Sequence, residues 1–298
     1  SCDLLMGISK QTVNINKIVL GDKAKNKIIK YLPHGLNHNI YRPLETTEEL
    51  DAIEKMKLDL FGKDEVDFIL FFNSRNIRRK QIPDTMWAFK MFLDGLPKEK
   101  ADKCRLLMHT EISFEAGTDL EAVRELLFEK DYPNAIVFDT KKWSTEDLNK
   151  LYNISDCQIL LTSNEGWGLT LTEAMLAGNP IIANCTGGMQ DQMRFEDEHG
   201  RWFEPNDMIP SNNNRTYAKH APWAFPVFPA CRSIQGSPPT PYIWDDRCKA
   251  EDAAEQLMNV YKLGSEKRNE IGILARKWAT GNEAGFTAER QGYRIIEN

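Results

Sequence analysis

An open, doubly wound α/β domain built on a parallel sheet is the fold class this sequence predicts, and two observations predict it. Short apolar runs recur between residues 65 and 185, each bounded by polar or turn residues. Between the runs, the apolar spacing changes to the helical period. A strand buried on both faces reads as a continuous apolar run, and each parallel pair needs a crossover, usually a helix.

The runs are Asp67 to Asn73, Cys104 to His109, Asn134 to Phe138, Cys157 to Thr162 and Pro180 to Ala183. Helical spacing fills 82–94 (Ile82, Met86, Phe89, Phe92, Leu93), 119–129 (Leu120, Val123, Leu126, Leu127), 145–154 (Leu148, Leu151, Tyr152) and 169–177. Upstream, Leu4 to Ile8 and Lys27 to Leu32 read as strands around a helix-like 11–20, followed by a loop from Pro33 to Pro43 and a helix at 48–61. Two strands and one helix do not make a stable parallel sheet, so residues 1–40 are expected to be the end of another domain. Beyond Gly187 the periodicity breaks. Pro205, Pro210, Pro222, Pro226, Pro229, Pro238, Pro239 and Pro241 exclude a helix or an internal strand over 205–245. The aromatic content there (Trp223, Phe225, Phe228, Tyr242, Trp244) points to an ordered loop packed on the domain. Helices are expected again at 250–262, 266–280 and 283–297.

The 298 residues leave room for one large or two medium domains. With 41% hydrophobic and 28% charged residues, disorder is excluded as the main description. A net charge of −6 argues against broad binding to nucleic acid or an anionic membrane, while leaving room for a local basic pocket. The six cysteines form no CxxC pair and read as reduced thiols of an intracellular, cytoplasmic chain. No apolar run approaches the roughly 20 residues of a membrane span.

Ligands of open α/β sheets bind beyond the carboxyl ends of the strands, which directs attention to the residues after each run. After the fourth run comes Glu165-Gly-Trp-Gly168-Leu-Thr-Leu-Thr-Glu173, a glycine turn opening a helix. The amides of Gly168, Leu169 and Thr170 are then unpaired helix-terminal donors suited to an anion such as phosphate. Glu165 can accept sugar hydroxyls or cap the helix. Glu173 can take the paired hydroxyls of a ribose or be an ordinary glutamate of a first helical turn. No Gly-Lys-Ser/Thr follows the turn and GxGxxG is absent, so neither the triphosphate loop nor the dinucleotide fingerprint applies. After the first run stand Asn73, Ser74, Arg75, Arg78, Arg79 and Lys80. Arg75 and Lys80 supply a fork and a point charge for a diphosphate, while Arg78 and Arg79 read more simply as solvated.

These residues carry a resemblance. The E-x7-E from Glu165 to Glu173, the following A-M-L-A-G-N-P-I-I-A, Thr186-Gly187-Gly188, Ser74-Arg75 with Lys80, and Ser155-Asp156 together resemble retaining glycosyltransferases of the GT-B architecture, in particular family 4 (glycosyl transferases group 1). The resemblance covers roughly 1–205 and 250–298. It implies a Rossmann-like doubly wound parallel sheet, the GT-B C-terminal domain, with a remnant of the N-terminal Rossmann-like domain. Residues 1–43 would be the end of the acceptor domain and the junction, 44–282 the donor-binding domain with an irregular insertion at 206–248, and 283–298 a helix crossing back. It implies Arg75, Lys80 and Glu165 as the catalytic set, the cations on the donor diphosphate and Glu165 on the transferred sugar. Glu173 would hold the ribose, and Ser74, Gly168, Leu169 and Thr170 would complete the nucleotide site. The donor would be a UDP-, GDP- or ADP-linked sugar and the acceptor a sugar, lipid or protein. No cofactor and no metal is expected. This chain alone is expected to be incomplete and weakly active or inactive in transfer. A non-catalytic nucleotide-sugar-binding protein and a GT-B epimerase or phosphorylase share part of the pattern.

Overall fold

The computed structural model describes residues 2–204, 217 and 219–297. The chain opens with β1 (Leu4–Gly7), α1 (Lys10–Leu20) and β2 (Ile28–Tyr31), and β1 and β2 pair in parallel as a sheet of their own. Ser9 caps α1 by accepting the Thr12 amide at 3.1 Å. Next comes α2 (Thr47–Phe61), started by a reciprocal capping box between Thr46 and Glu49.

The repeating unit follows as β3 (Phe68–Asn73), α3 (Ile82–Asp94), the single turn α4 (Lys98–Ala101), β4 (Cys104–His109), α5 (Leu120–Phe128), β5 (Ile136–Asp139), α6 (Thr145–Asn153), β6 (Cys157–Leu160), α7 (Leu169–Ala177), β7 (Ile181–Asn184) and the short α8 (Met189–Gln192). Phe68, Ile69, Leu70, Phe71 and Phe72 are all buried, as a strand covered on both faces requires. On one side α3 packs between α5 and a later helix, α9 (Ala250–Lys262); on the other, α7 packs against α6 and α10 (Gly264–Thr280). The chain ends its helices with α11 (Ala288–Ile296). No helix among the described residues is long and apolar enough to cross a membrane.

The main sheet is six-stranded and parallel, in the order β5-β4-β3-β6-β7-β8, where β8 is Ala224–Val227. Along the chain this is third, second, first, fourth, fifth, sixth, the doubly wound order with its reversal between β3 and β6.

The expectation of an irregular 206–248 is corrected over the part described. β8 lies on the sheet edge, where Pro226 costs no ladder bond to a further strand. β9 (Cys231–Ser237) and β10 (Thr240–Arg247) form an antiparallel hairpin whose prolines sit at its turn and outer end. Proline density excluded a helix and an internal strand, but not an edge strand or a hairpin. Residues 205–216 and 218 lie outside the described residues. The last helix begins at Ala288, not 283, with Thr287 as its cap. Its start is tied to the amino-terminal segment: Leu36 N–H donates to the Phe286 carbonyl at 3.0 Å, and Ala288 N–H to that of Leu36 at 2.9 Å.

Candidate functional site

Crossovers leave β3 and β6 toward opposite edges of the sheet, so a crevice opens between their carboxyl ends. β3 runs into Ser74, Arg75 and the tight turn Arg78–Lys80; β6 runs into Thr162, Ser163, Asn164 and Glu165. The two loops are joined, because the Arg79 carbonyl accepts both the Ser163 amide at 2.8 Å and the Thr162 hydroxyl at 2.9 Å. Gln81, in the left-handed region at φ 51°, ends the turn and lets α3 begin.

This join brings two predicted groups, Lys80 and Glu165, together with Arg79. Glu165 Oε2 accepts Lys80 Nζ and, at 3.0 Å, Arg79 Nη1, which also donates to the Asn164 carbonyl at 2.6 Å. Burial alone would raise the Glu165 carboxyl, but Lys80 and Arg79 together hold it below its ordinary value. Burial lowers the Lys80 ammonium, with Glu165 offsetting only part of the effect. Lys80 and Glu165, expected in separate roles, are therefore paired with each other. Arg79, read from the sequence as solvated, completes the cluster.

The glycine turn is held from below. Gly168 caps α7 at φ 89°, and the amides of Leu169 and Thr170 have no acceptor among the described residues. Gly187 is needed because a Cβ there would stand 1.8 Å from the Glu165 carbonyl oxygen, at φ +56°. The Gly188 amide donates to that same oxygen at 3.1 Å. Trp167 is buried, donating to the Thr172 hydroxyl at 3.0 Å with its ring 4.9 Å from that of Phe286. It anchors the turn; the side chain of Leu169 is exposed, and the Thr170 hydroxyl is buried without a partner among the described residues.

Glu173 is held by two tyrosines: Tyr41 donates to Oε1 at 3.2 Å, and Tyr152 donates to Oε2. Burial raises its carboxyl despite these donors. Tyr152 in turn accepts Asn73 Nδ2 at 3.0 Å, which links Glu173 to the end of β3. Beside Asn73 lies a cleft of about 410 Å³ lined by Ser74, Arg75, His109, Asp139, Lys141 and Lys142. The exposed Arg75 stands over the Phe114 ring at 5.9 Å, whereas Lys80 is turned to Glu165. Asp139 accepts His109 Nδ1 at 2.8 Å and Trp143 Nε1 at 2.6 Å. Burial would raise its carboxyl, but these two donors hold it below the usual range.

Sequence reasoning did not single out His109, Tyr41 or Tyr152 for the site, and named Asn73 only as the first residue of the cluster after the first run. His109 and Asn73 close apolar runs, so the strand-end rule already pointed at them; the tyrosines carried no signal beyond helical or loop spacing. Ser155-Asp156, part of the family pattern, proves to be scaffold. Asp156 accepts the Ile69 amide at 2.8 Å and Arg268 Nη2 at 2.8 Å, far from the strand ends that form the cleft.

A doubly wound parallel sheet with charged groups and a free helix start at its switch point defines a Rossmann-like class of α/β protein. Residues 61–212 match the family described as Glycosyl transferases group 1, and the chain belongs to that family. It is 22% identical over 232 residues to mannosylfructose-phosphate synthase of Agrobacterium fabrum, covering 74% of this chain and 47% of that protein. An uncharacterized glycosyltransferase of Methanocaldococcus jannaschii is 27% identical over 123 residues, 41% of this chain and 29% of that protein. The chain thus spans less than half the length of these curated relatives. A glycosyltransferase from Rickettsia africae superimposes with a TM-score of 0.65 at 19% identity, over 98% of this chain and 61% of that one. The Anabaena protein HepE in complex with UDP and glucose does so with a TM-score of 0.65 at 15% identity, over 99% and 63%.

Proposed function

We propose that this chain binds a nucleoside-diphosphate sugar and serves in its transfer, with retention at the anomeric carbon, as in family 4 glycosyltransferases. The observation that carries the reading is the cluster of Lys80, Arg79 and Glu165 at the switch point, next to the free amides of α7. A diphosphate entering there meets cations already gathered and helix-end donors already oriented, so no divalent ion is needed to offset its charge. Arg75 and Ser74 reach it from the cleft side. Lys80 exchanges Glu165 for phosphate oxygen, which frees the Glu165 carboxylate to accept hydroxyls of the transferred sugar. Glu173, oriented by Tyr41 and Tyr152, accepts the ribose hydroxyls. Residues 1–43 then form the acceptor-side junction, 44–282 the donor domain, and the final helix the return toward the junction.

Isothermal titration with UDP, GDP and ADP tests this reading. One of the three should bind, and binding should survive EDTA. Lys80→Ala should weaken it by about 2 to 5 kcal/mol, as for a buried charge partner, and the more exposed Arg75→Ala by less. Glu173→Gln should weaken the free nucleotide, while Glu165→Gln should spare it and lower sugar release from the intact donor. No binding by any of the three, or undiminished affinity in both cation variants, refutes the assignment.

A further inference from the structure

A knot of buried polar groups lies against the two loops of the donor site. Thr162, Ser163, Asn184, Thr186 and Asp246 are each 2% exposed or less, and they come from the ends of β6 and β7 and from β10 of the hairpin. Asp246 is where they meet. Its Oδ2 accepts the Thr186 hydroxyl at 2.8 Å, and its Oδ1 accepts Arg232 Nε at 3.3 Å. Its amide donates to the Ser163 carbonyl at 2.9 Å, and its own carbonyl accepts Asn184 Nδ2 at 2.6 Å. Asn184 Nδ2 also donates to the Thr162 carbonyl at 3.0 Å, which joins β6, β7 and β10 at one point.

Both site loops are held by this knot. On the β3 side, Thr162 and Ser163 are the residues that donate to the Arg79 carbonyl, next to Lys80. On the β6 side, Thr186 precedes Gly187, which packs against the Glu165 carbonyl oxygen, and Gly188, whose amide donates to it. A second tie from β10 reaches the turn directly, because Asn164 Nδ2 donates to the Trp244 carbonyl at 3.2 Å and Asn164 precedes Glu165. A third holds the first turn of α3, where Arg247 forks onto Asp84 with two contacts of 2.8 Å. A hairpin that only covered apolar surface would need none of these contacts. A buried polar network fixes one arrangement of the segments it joins, since any other leaves polar groups unpaired away from water. Here those segments are the strand ends at which ligands of such a sheet bind.

We infer that β10 is a brace of the donor site and that Asp246 is a positioning residue for Glu165, acting through Thr186 and the Gly187-Gly188 turn. The inference rests on the donor-site reading above, in which Glu165 meets the transferred sugar and not the nucleotide. It gives a role in donor binding to a hairpin that lies outside the resemblance to the family.

Isothermal titration on the full chain tests the brace, with UDP, GDP and ADP and with the glucose, galactose and mannose esters of whichever binds. Thr186→Val removes the hydroxyl that Asp246 accepts while keeping nearly the same shape, and Thr186→Ser keeps the hydroxyl. Thr186→Val should weaken the sugar ester roughly three- to tenfold and leave the free nucleotide within about twofold of wild type. Thr186→Ser should restore the affinity for the ester. Asp246→Asn should show the same split with a lower unfolding midpoint; should it fail to fold, the two Thr186 variants decide. Unchanged ester affinity in Thr186→Val, or an equal loss for ester and free nucleotide, overturns the positioning role and leaves the donor reading standing. A wild-type chain that binds none of the nucleotides, or none of the esters, overturns the donor reading and the brace with it.

Discussion

Asp191 shows how much a single residue can carry at a contact between segments. It is fully buried, and its Oδ2 accepts the Lys10 amide at 2.9 Å, at the first turn of α1. Lys10 Nζ donates to the Phe203 carbonyl and lies 3.6 Å from the ring centre of Trp202. Burial pushes the Asp191 carboxyl up to about 7, the Lys10 amide and charge and Tyr31 offsetting only part of it. The unfolded value is about 4, so over that interval the folded protein holds this proton more tightly than the unfolded chain. The contribution to stability is therefore fullest below about pH 4 and is lost as pH rises to about 7. Urea denaturation of wild type and Asp191→Asn across that range should show a falling difference between them, wild type losing ground as pH rises. A difference independent of pH refutes the raised carboxyl.

Among the elements, β3 depends on a pair outside the site. Asp156 fixes the start of β3 through the Ile69 amide and is itself held by Arg268 of α10, whose side chain is only 6% exposed. Arg268→Ala should cost about 2 kcal/mol or more, since it leaves a partly buried carboxylate without its cation. Nucleotide affinity should be unchanged; thermal unfolding and calorimetry check the two halves, and a parallel fall in affinity would place Arg268 in the binding machinery. The strands and helices of this unit were legible because each satisfies a local rule: Phe68 to Phe72 hide two faces, and Ser144 and Asp119 cap the helices that follow them. The hairpin was not legible. Its pairing is between residues such as Ile234 and Trp244, set by contacts at its root to Ser163 and Asn184 that sequence spacing does not reveal. The same limit applied within the site. Arg75, Lys80, Glu165 and Glu173 stood out as candidates by type and position. The pairing of Lys80 with Glu165 and the tyrosine clamp on Glu173 arise only when loops far apart in the chain meet.

Over the whole molecule, the separate sheet of β1 and β2 is attached at two places distant in sequence. One is the Lys10 contact with Asp191 and Phe203; the other is the bridge of Leu36 to Phe286 and Ala288, beside which the Gly35 amide donates to Gln291 Oε1 at 3.1 Å. Arg276 adds a third hold on the connecting stretch, donating to the carbonyls of His38 and Tyr41 at 3.1 and 2.9 Å. Such an arrangement behaves like a strap buckled at both ends, in which covalent continuity is not what keeps the strap in place. A protease that nicks the connection between Pro43 and Thr46 should leave the amino-terminal piece co-eluting with the remainder in native gel filtration, the two separating only in denaturant. Dissociation of the nicked pieces under native conditions would show that the peptide bond, and not the buckles, holds them. For any engineering of the molecule, the consequence is that residues 1–43 can be supplied in trans as a complementing fragment, whereas trimming α11 would loosen the far end of the chain's own beginning.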